Sequence, residues 1–236
     1  MWLNNDRTTH SHIALYRQSL SNNTPRHVII DNLFNETKLN EVLRALQQSC
    51  HWETQKHTYA ELYVGTEEWE KTSREQRFVK RDVWLRKLDN VETSQPKVYH
   101  SAIANDFLKF LRDDTFLTFL SKIFNVVLTD KNVANPEINT NYFRLNSSDF
   151  VEQHADDSPG REVCMLLYLN KNWHHDAKGN LVFLANNDPT VSISPIFNRC
   201  VLFNPSSNGS EHWVEKLSIK AANTYRYNIT SWYWSE

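Results

Sequence analysis

A chain of 236 residues that is 40% apolar and 23% charged can form one large domain with a substantial core. Its formal charge of −2 leaves no electrostatic footprint for nucleic acid, and no apolar run reaches the roughly 18 residues of a membrane span. Cys50, Cys164 and Cys200 are too widely spaced to bind metal together. With a polar start, "MWLNNDRTTHSH", they suit buried thiols in a reducing, cytoplasmic setting.

Along the sequence, "RHVIIDNLFN" (26–35) predicts a short strand from Val28 to Ile30 that runs into a turn. Leu39, Val42, Leu43 and Leu46 then recur at i, i+3, i+4 and i+7, an amphipathic helix with Asn35 as its N-cap. Residues 53–80 are highly charged. Within them "VGTEEWEKTSREQR" reads as a mobile surface loop or a short helix, a solvated face that substrate would order. "RDVWLRKL" (81–88) predicts another strand.

From Ser101 to Phe124 two helical stripes appear, one of Phe107, Leu108 and Leu111, the other of Phe116, Phe119, Leu120 and Ile123. Asp113 and Asp114 break them apart. Beyond residue 130 the pattern turns to short β-like runs: "TNYFRL", "DFVEQH", "VCMLLYLN", "NLVFLAN", "CVLFN" and "YRYNITSWYW". Turn chemistry such as "DSPG", "AKGN" and "NPSSNG" separates them. Helices first and an antiparallel β domain of sandwich or barrel type second is the expected α+β plan.

The stretch "VEQHADDSPGRE" (151–162) sets His154 and Asp156 one residue apart. On a strand, positions i and i+2 share a face, so both could turn to one metal while Ala155 points away. By itself a His-x-Asp is more often a solvated loop. As a third ligand, His212 in "GSEHWVEKL" is preferred over His174, His175 and Asp176, which read as a polar hairpin turn. Two histidines and one carboxylate make a facial triad that leaves positions open on Fe(II). A co-substrate such as 2-oxoglutarate also needs a cation away from the metal. Arg226 is suited to that, on a final strand whose alternation puts Arg226, Asn228, Thr230, Trp232 and Trp234 on one face. A structural ion pair with Glu215 is the plainer reading of the same arginine. Tyr142, Phe143 and Arg144 lead into the metal motif as pocket-lining candidates, none singled out.

Taken together, "HAD", "GREVCMLLYLNKNW", "KGNLVFL", "ISPIFNRCVLFNPS", "EHWVEKL" and "RYNITSWYW" resemble, in order and spacing, the Fe(II)/2-oxoglutarate-dependent oxygenases of the prolyl-hydroxylase-like branch. The segment "RHVIIDNLFNETKLNEVLRAL" resembles that branch's opening strand and helix. The resemblance spans about residues 26–236 and is densest from Tyr142 onward. It implies N-terminal helices packed on a double-stranded β-helix (jelly-roll) core of mostly antiparallel strands. The protein would be a single domain, with about 26–130 as helical support and substrate lid and about 131–236 as catalytic core.

Residue by residue, the resemblance implies that His154, Asp156 and His212 hold Fe(II), with 2-oxoglutarate and O2 as co-substrates and ascorbate as an accessory reductant. Arg226 becomes the bidentate clamp on the distal carboxylate of 2-oxoglutarate, and the Tyr168 phenol bonds the same carboxylate. Thr230 and Trp232 match inward positions near co-substrate and substrate, and Arg161 matches a pocket-rim arginine. One departure is Gly179-Asn180, where the family usually has Gly-Gly ahead of "LVFL".

The implied reaction is hydroxylation of an unactivated C–H bond, coupled to conversion of 2-oxoglutarate to succinate and CO2. A free amino acid or small amino-acid derivative is favoured as substrate, and a peptidyl residue, above all proline, is the alternative. No nucleic-acid or membrane partner is expected. Two other classes stand beside this one: a zinc enzyme that activates water, and a non-catalytic jelly-roll module. The carboxylate clamp speaks against the first and the complete set of ligands against the second. Because Asp156 is present, hydroxylation is favoured over halogenation, which needs a small residue there.

Overall fold

Three side chains at helical spacing, Ile13, Tyr16 and Leu20, bury one face of a helix over His10–Asn22 (α1). The sequence pattern does not signal this helix, because its remaining positions are mostly polar and Leu15 is exposed on another face. The computed structural model describes residues 1–86, 98–129, 139–185, 189–219 and 224–235. After α1, strand β1 covers His27–Asp31 and helix α2 covers Glu36–Gln48. Asn35 caps α2 by accepting from the Lys38 amide at 3.0 Å, and the expected stripe, Leu39, Val42, Leu43 and Leu46, is buried.

Residues 53–80 depart from the surface-loop reading. They supply most of a hairpin, strands β2 (Trp52–Thr58) and β3 (Arg77–Trp84), whose connection holds a short helix, α3 (Thr66–Lys71). β2 escapes detection because it is an edge strand with polar side chains on both faces. Trp69 pins α3: it is 6% exposed, stacks on Phe150, and carries the Arg77 guanidinium 4.8 Å above its ring. β3 begins earlier than the predicted strand, and residues 87–88 of that strand lie outside the described residues.

The aromatic stripes form α4 (Val98–Phe110) and α5 (Asp114–Phe124). Asp113 separates them and caps α5 by accepting from the Phe116 amide at 3.0 Å. Helix α2 packs against α4 and α1 against α5.

Short strands follow: β4 (Leu128–Thr129), β5 (Thr140–Leu145), β6 (Phe150–Val151), β7 (Arg161–Tyr168), β8 (Leu181–Phe183), β9 (Val191–Ile193), β10 (Arg199–Phe203), β11 (His212–Val214) and β12 (Arg226–Ser235). They form a large sheet in the order β1-β10-β7-β12-β5-β3-β2, with β4 on β12 and β6 on β3, and a small sheet β11-β8-β9. Every strand pair among the described residues is antiparallel.

Alternation assigns each strand two jobs. On β7, Val163, Met165 and Leu167 join the helices in one core, while Cys164, Leu166 and Tyr168 face Leu181, Phe183 and Ile193 of the small sheet. On β12, Ile229 and Tyr233 belong to the helical core. Arg226, Asn228, Thr230 and Trp232 take the opposite face, which the sequence alternation predicts. The fold is α+β, helices on one face of a two-sheet antiparallel core.

Phe107 is central to the helical layer: it is inaccessible to solvent and touches Trp2, Phe34 and Phe110. Phe107→Ala should cost about 3–5 kcal/mol of stability in urea unfolding. A cost under about 1 kcal/mol would mean that α4 is a loosely held cover. Among the described residues no helix is long and apolar enough to cross a membrane.

Candidate metal centre and its pocket

His154 and His212 meet through an isolated antiparallel bridge. The His154 amide donates to the His212 carbonyl at 3.0 Å, and the His212 amide returns the bond at 2.9 Å. This puts the two rings 4.3 Å apart between centroids. Asp156, two residues past the bridge, turns its carboxylate to both: Oδ1 lies 3.9 Å from His154 Nε2, and Oδ2 lies 3.7 Å from His212 Nε2. Ala155 is exposed, as the i, i+2 argument requires. The three ligand atoms all lie within 4.8 Å of one another.

Hydrogen bonds set the tautomers. Nδ1 of His154 meets the Glu152 carbonyl at 2.9 Å, and Nδ1 of His212 meets the Ser210 carbonyl at 3.0 Å. A carbonyl only accepts, so each Nδ1 carries the proton and each Nε2 lone pair faces the centre, the usual arrangement for metal-ligating histidine. Burial, then the neighbouring His154, pushes the His212 pKa down to about 4, so its imidazole is neutral at pH 7. Burial alone would raise the Asp156 pKa. His212, His154, Trp232 and Arg161 outweigh it and hold the carboxyl below its ordinary value. Two neutral Nε2 donors and a carboxylate fit a divalent transition metal. The Cys164 thiol donates to Asp156 Oδ2 at 3.6 Å.

The other predicted residues fall around this cluster. Arg226 is 1% exposed and has no carboxylate partner among the described residues: Nε donates to the Gly179 carbonyl at 2.7 Å and Nη1 to Asn228 Oδ1 at 2.9 Å. Glu215, the structural partner considered for it, pairs with Lys178 instead. Among the described residues, Nη2 of Arg226 and the Tyr168 hydroxyl, both buried, find no partner of good hydrogen-bond geometry; the two groups act on each other electrostatically, and the guanidinium sits 4.9 Å from the Tyr168 ring. Burial, partly offset by Arg226, pushes the Tyr168 pKa up to about 12, which keeps the phenol a donor. Two stranded donors side by side are a cradle for a carboxylate. Gly179 has φ +76°, and a Cβ there would come within 3.2 Å of Arg226 Cδ, so the glycine that stands before Asn180 keeps the clamp's space clear.

Thr230 accepts from Asn228 Nδ2 at 3.0 Å, which extends the series of bonds from Arg226. Trp232 and Arg161 line the cavity beside Asp156, with the Arg161 guanidinium 5.5 Å from the Trp232 ring. Phe143 lines it too, whereas Tyr142 points into the helical core and Arg144 pairs with Asp82. His174, His175 and Asp176 are exposed at a turn, away from the cluster. The reading of the sequence missed Gln55, His57, Phe78 and Arg81, which line the same cavity, of about 280 Å³. The available signal was the run Val79-Lys80-Arg81-Asp82-Val83, in which Arg81 shares a face with two buried valines.

His57 and His212 are both held neutral with pKa values near 4, His57 by burial and then by the charge of Arg81. On unfolding, each imidazole returns to an ordinary value of 6.5 and takes up a proton more readily. Their contribution is therefore whole above pH 6.5 and is lost as pH falls toward 4. Thermal melts of metal-free protein should show this fall, and His57→Phe should make it shallower. An unchanged slope would show that His57 takes up its proton in the fold as readily as in the unfolded chain.

Residues 140–234 match the model of the 2OG-Fe(II) oxygenase superfamily. No curated protein matches the sequence. Among solved structures, it is similar to a prolyl hydroxylase from Trichoplax adhaerens, in complex with a peptide fragment of the hypoxia inducible factor oxygen degradation domain. The TM-score is 0.66 at 23% identity, covering 94% of this protein and 89% of that one. A Pseudomonas putida prolyl-4-hydroxylase gives a TM-score of 0.59 at 14% identity, covering 95% and 99%. An oxidoreductase of the 2OG-Fe(II) oxygenase family from Burkholderia pseudomallei gives 0.60 at 15%, covering 97% and 93%.

The stretch that carries the site is thus similar to the 2OG-Fe(II) oxygenase superfamily, and the fold of the protein is shared with prolyl hydroxylases. The His154–Asp156–His212 cluster and the Arg226–Tyr168 cradle lie within that matched stretch, and two imidazoles with one carboxylate suit the Fe(II) that the superfamily's description names.

Proposed function

We propose that the protein hydroxylates an unactivated C–H bond of a free amino acid or small amino-acid derivative. Nε2 of His154, Nε2 of His212 and the Asp156 carboxylate would hold Fe(II). The pair of stranded donors, Arg226 Nη2 and the Tyr168 hydroxyl, carries the reading, because a water-activating zinc site has no use for a buried carboxylate cradle. Bound Fe(II), with 2-oxoglutarate and O2, supplies the oxidant for the C–H bond and yields succinate and CO2.

The protein's own residues do the rest. Arg226 and Tyr168 fix the distal carboxylate of 2-oxoglutarate, and Asn228 and Thr230 hold Arg226 in line. The Nδ1 bonds to Glu152 and Ser210 aim both imidazoles, and Cys164 and Arg161 steady Asp156. Phe78, Phe143 and Trp232 wall the cavity and keep water from the bond to be oxidised. Asp156 occupies the place that a halogenase leaves open for halide.

The cavity of about 280 Å³ is at the lower end for ligand pockets and favours a small substrate. A peptidyl prolyl residue is the second reading, supported by the shared fold of the peptide-bound Trichoplax structure and by exposed Tyr59, Leu62 and Tyr63 on the β2–β3 connection. Succinate release by iron-loaded protein, across the twenty free amino acids and proline-containing peptides, tests both. Hydrogen exchange adds a second check: the 59–63 segment should exchange fast alone and slow down with substrate, while β2 and β3 stay protected. Full protection of 59–63 in the substrate-free protein would rule out its service as a lid.

A further inference from the structure

The hairpin wall of the cavity holds a cation that the iron and 2-oxoglutarate machinery leaves unused. In the β2–β3 register, Gln55 pairs with Arg81 and His57 with Val79, so these four side chains share one face. That face lines the same cavity as His154 and Asp156. The Arg81 guanidinium lies 3.5 Å over the Phe143 ring, and its Nε reaches Gln55 Oε1 only at 3.5 Å, the limit of a hydrogen bond.

Among the described residues no carboxylate forms an ion pair with Arg81, and neither terminal nitrogen donates to a protein group; Asp156 acts on it only through space. Its neighbours differ in this respect. Arg144 is paired with Asp82 and Lys80 with Asp149, and Arg161 is bonded to the Asp156 carbonyl and stands 4.0 Å from its carboxylate. His57 adds a second unused donor. It is 5% exposed, and its Nδ1 accepts from the Tyr63 amide at 3.3 Å, which places the ring proton on Nε2. That Nε2 is buried with no acceptor among the described residues. A guanidinium without a bonded acid and an imidazole N–H without an acceptor, on one wall of a cavity, leave an anion's place open.

We propose that Arg81 and His57 bind the α-carboxylate of a free amino-acid substrate, and so turn the C–H bond to be hydroxylated toward the His154–Asp156–His212 centre. The site is separate from the Arg226–Tyr168 cradle, which lies at the far end of β12's inward face and takes the co-substrate. Guanidinium suits a carboxylate bidentately, and His57 supplies a third donor from the adjacent strand. The cavity's size favours this occupant over an acidic residue of a peptide. The inference rests on the hydroxylase reading and adds the feature by which that hydroxylase selects its substrate.

The test uses the iron-loaded protein with 2-oxoglutarate, and as probes the twenty free L-amino acids, their carboxamides, and the same residues in peptides blocked at both ends. At least one free amino acid should stimulate succinate release, and its carboxamide should not. For that amino acid, Arg81→Gln should raise KM about thirtyfold or more, Arg81→Lys should restore part of the loss, and His57→Phe should raise KM several-fold. The affinity for 2-oxoglutarate, read by anaerobic titration, should stay within about twofold in all three variants. Equal stimulation by the carboxamide or by a blocked peptide overturns the proposal, as does an unchanged KM in Arg81→Gln. Stimulation by no free amino acid also overturns it, and leaves the hydroxylase reading in place if the protein binds Fe(II) and 2-oxoglutarate. Failure to bind either one removes both.

Discussion

Asp156→Ala should leave the protein without measurable Fe(II) at micromolar metal, and with no hydroxylation. Asp156 would be the anionic ligand of the proposed centre, and both Nε2 atoms face its carboxylate at 3.9 and 3.7 Å. Removing it takes away the charge that offsets the cation and leaves two neutral donors. The loss should exceed the 10–100-fold typical when a hydrogen-bond partner of a ligand is removed. His154→Ala and His212→Ala should behave alike. His174→Ala and His175→Ala should leave iron content unchanged, since both are exposed at a turn and His175 is engaged with Asp176 at 2.8 Å. Metal analysis of the five purified variants is the measurement. Iron lost in His175→Ala and kept in His212→Ala would mean that the third ligand comes from the turn.

Arg226→Ala should weaken 2-oxoglutarate binding by about thirtyfold or more, in line with the roughly 2–5 kcal/mol lost when one partner of a buried charge pair is truncated. The carboxylate would then face the Tyr168 hydroxyl and a cavity where the guanidinium stood. Iron binding should persist, because none of the three ligands touches Arg226. Arg226→Lys should recover part of the affinity through its charge alone, without the fork that satisfies the Gly179 carbonyl, Asn228 and a ligand together. Anaerobic titration of the iron-loaded variants reads this directly. Unchanged affinity in Arg226→Ala would move the clamp to another cation.

The elements legible in the sequence are those whose pattern repeats. The α2 stripe with its Asn35 cap, the break at Asp113, and the alternation along "YRYNITSWYW" each repeat a physical period often enough to be read. The His154–Asp156 pair was legible because i and i+2 share a face, and His212 because few other histidines follow. What brings His212 to them, one reciprocal pair of backbone bonds, leaves no trace in either segment.

Helix α1 was hidden by its short stripe of three buried residues, and β2 by the polarity of an edge strand. Arg81 was missed for a related reason. In "FVKRDVW" a charged residue between two valines on one face reads as an outward turn of the pattern, until the sheet shows that face lining a cavity. Such a break in a local rule, with no evident compensation, is characteristic of functional positions.

The reciprocal bridge between His154 and His212 also has a meaning for the lifetime of the protein. Beside it, Gln153 bonds Glu211 at 2.6 Å across a sequence separation of 58 residues. An ion held there would close that long loop as a cross-link does, and would tie the small sheet to the approach of β7. A ligand that binds only the folded form stabilises it by about 2.7 kcal/mol at one hundred times its dissociation constant. Cellular iron supply would thus set how long each molecule survives unfolding and proteolysis, as well as how fast it turns over. Starved of iron, the population would shrink along with its activity.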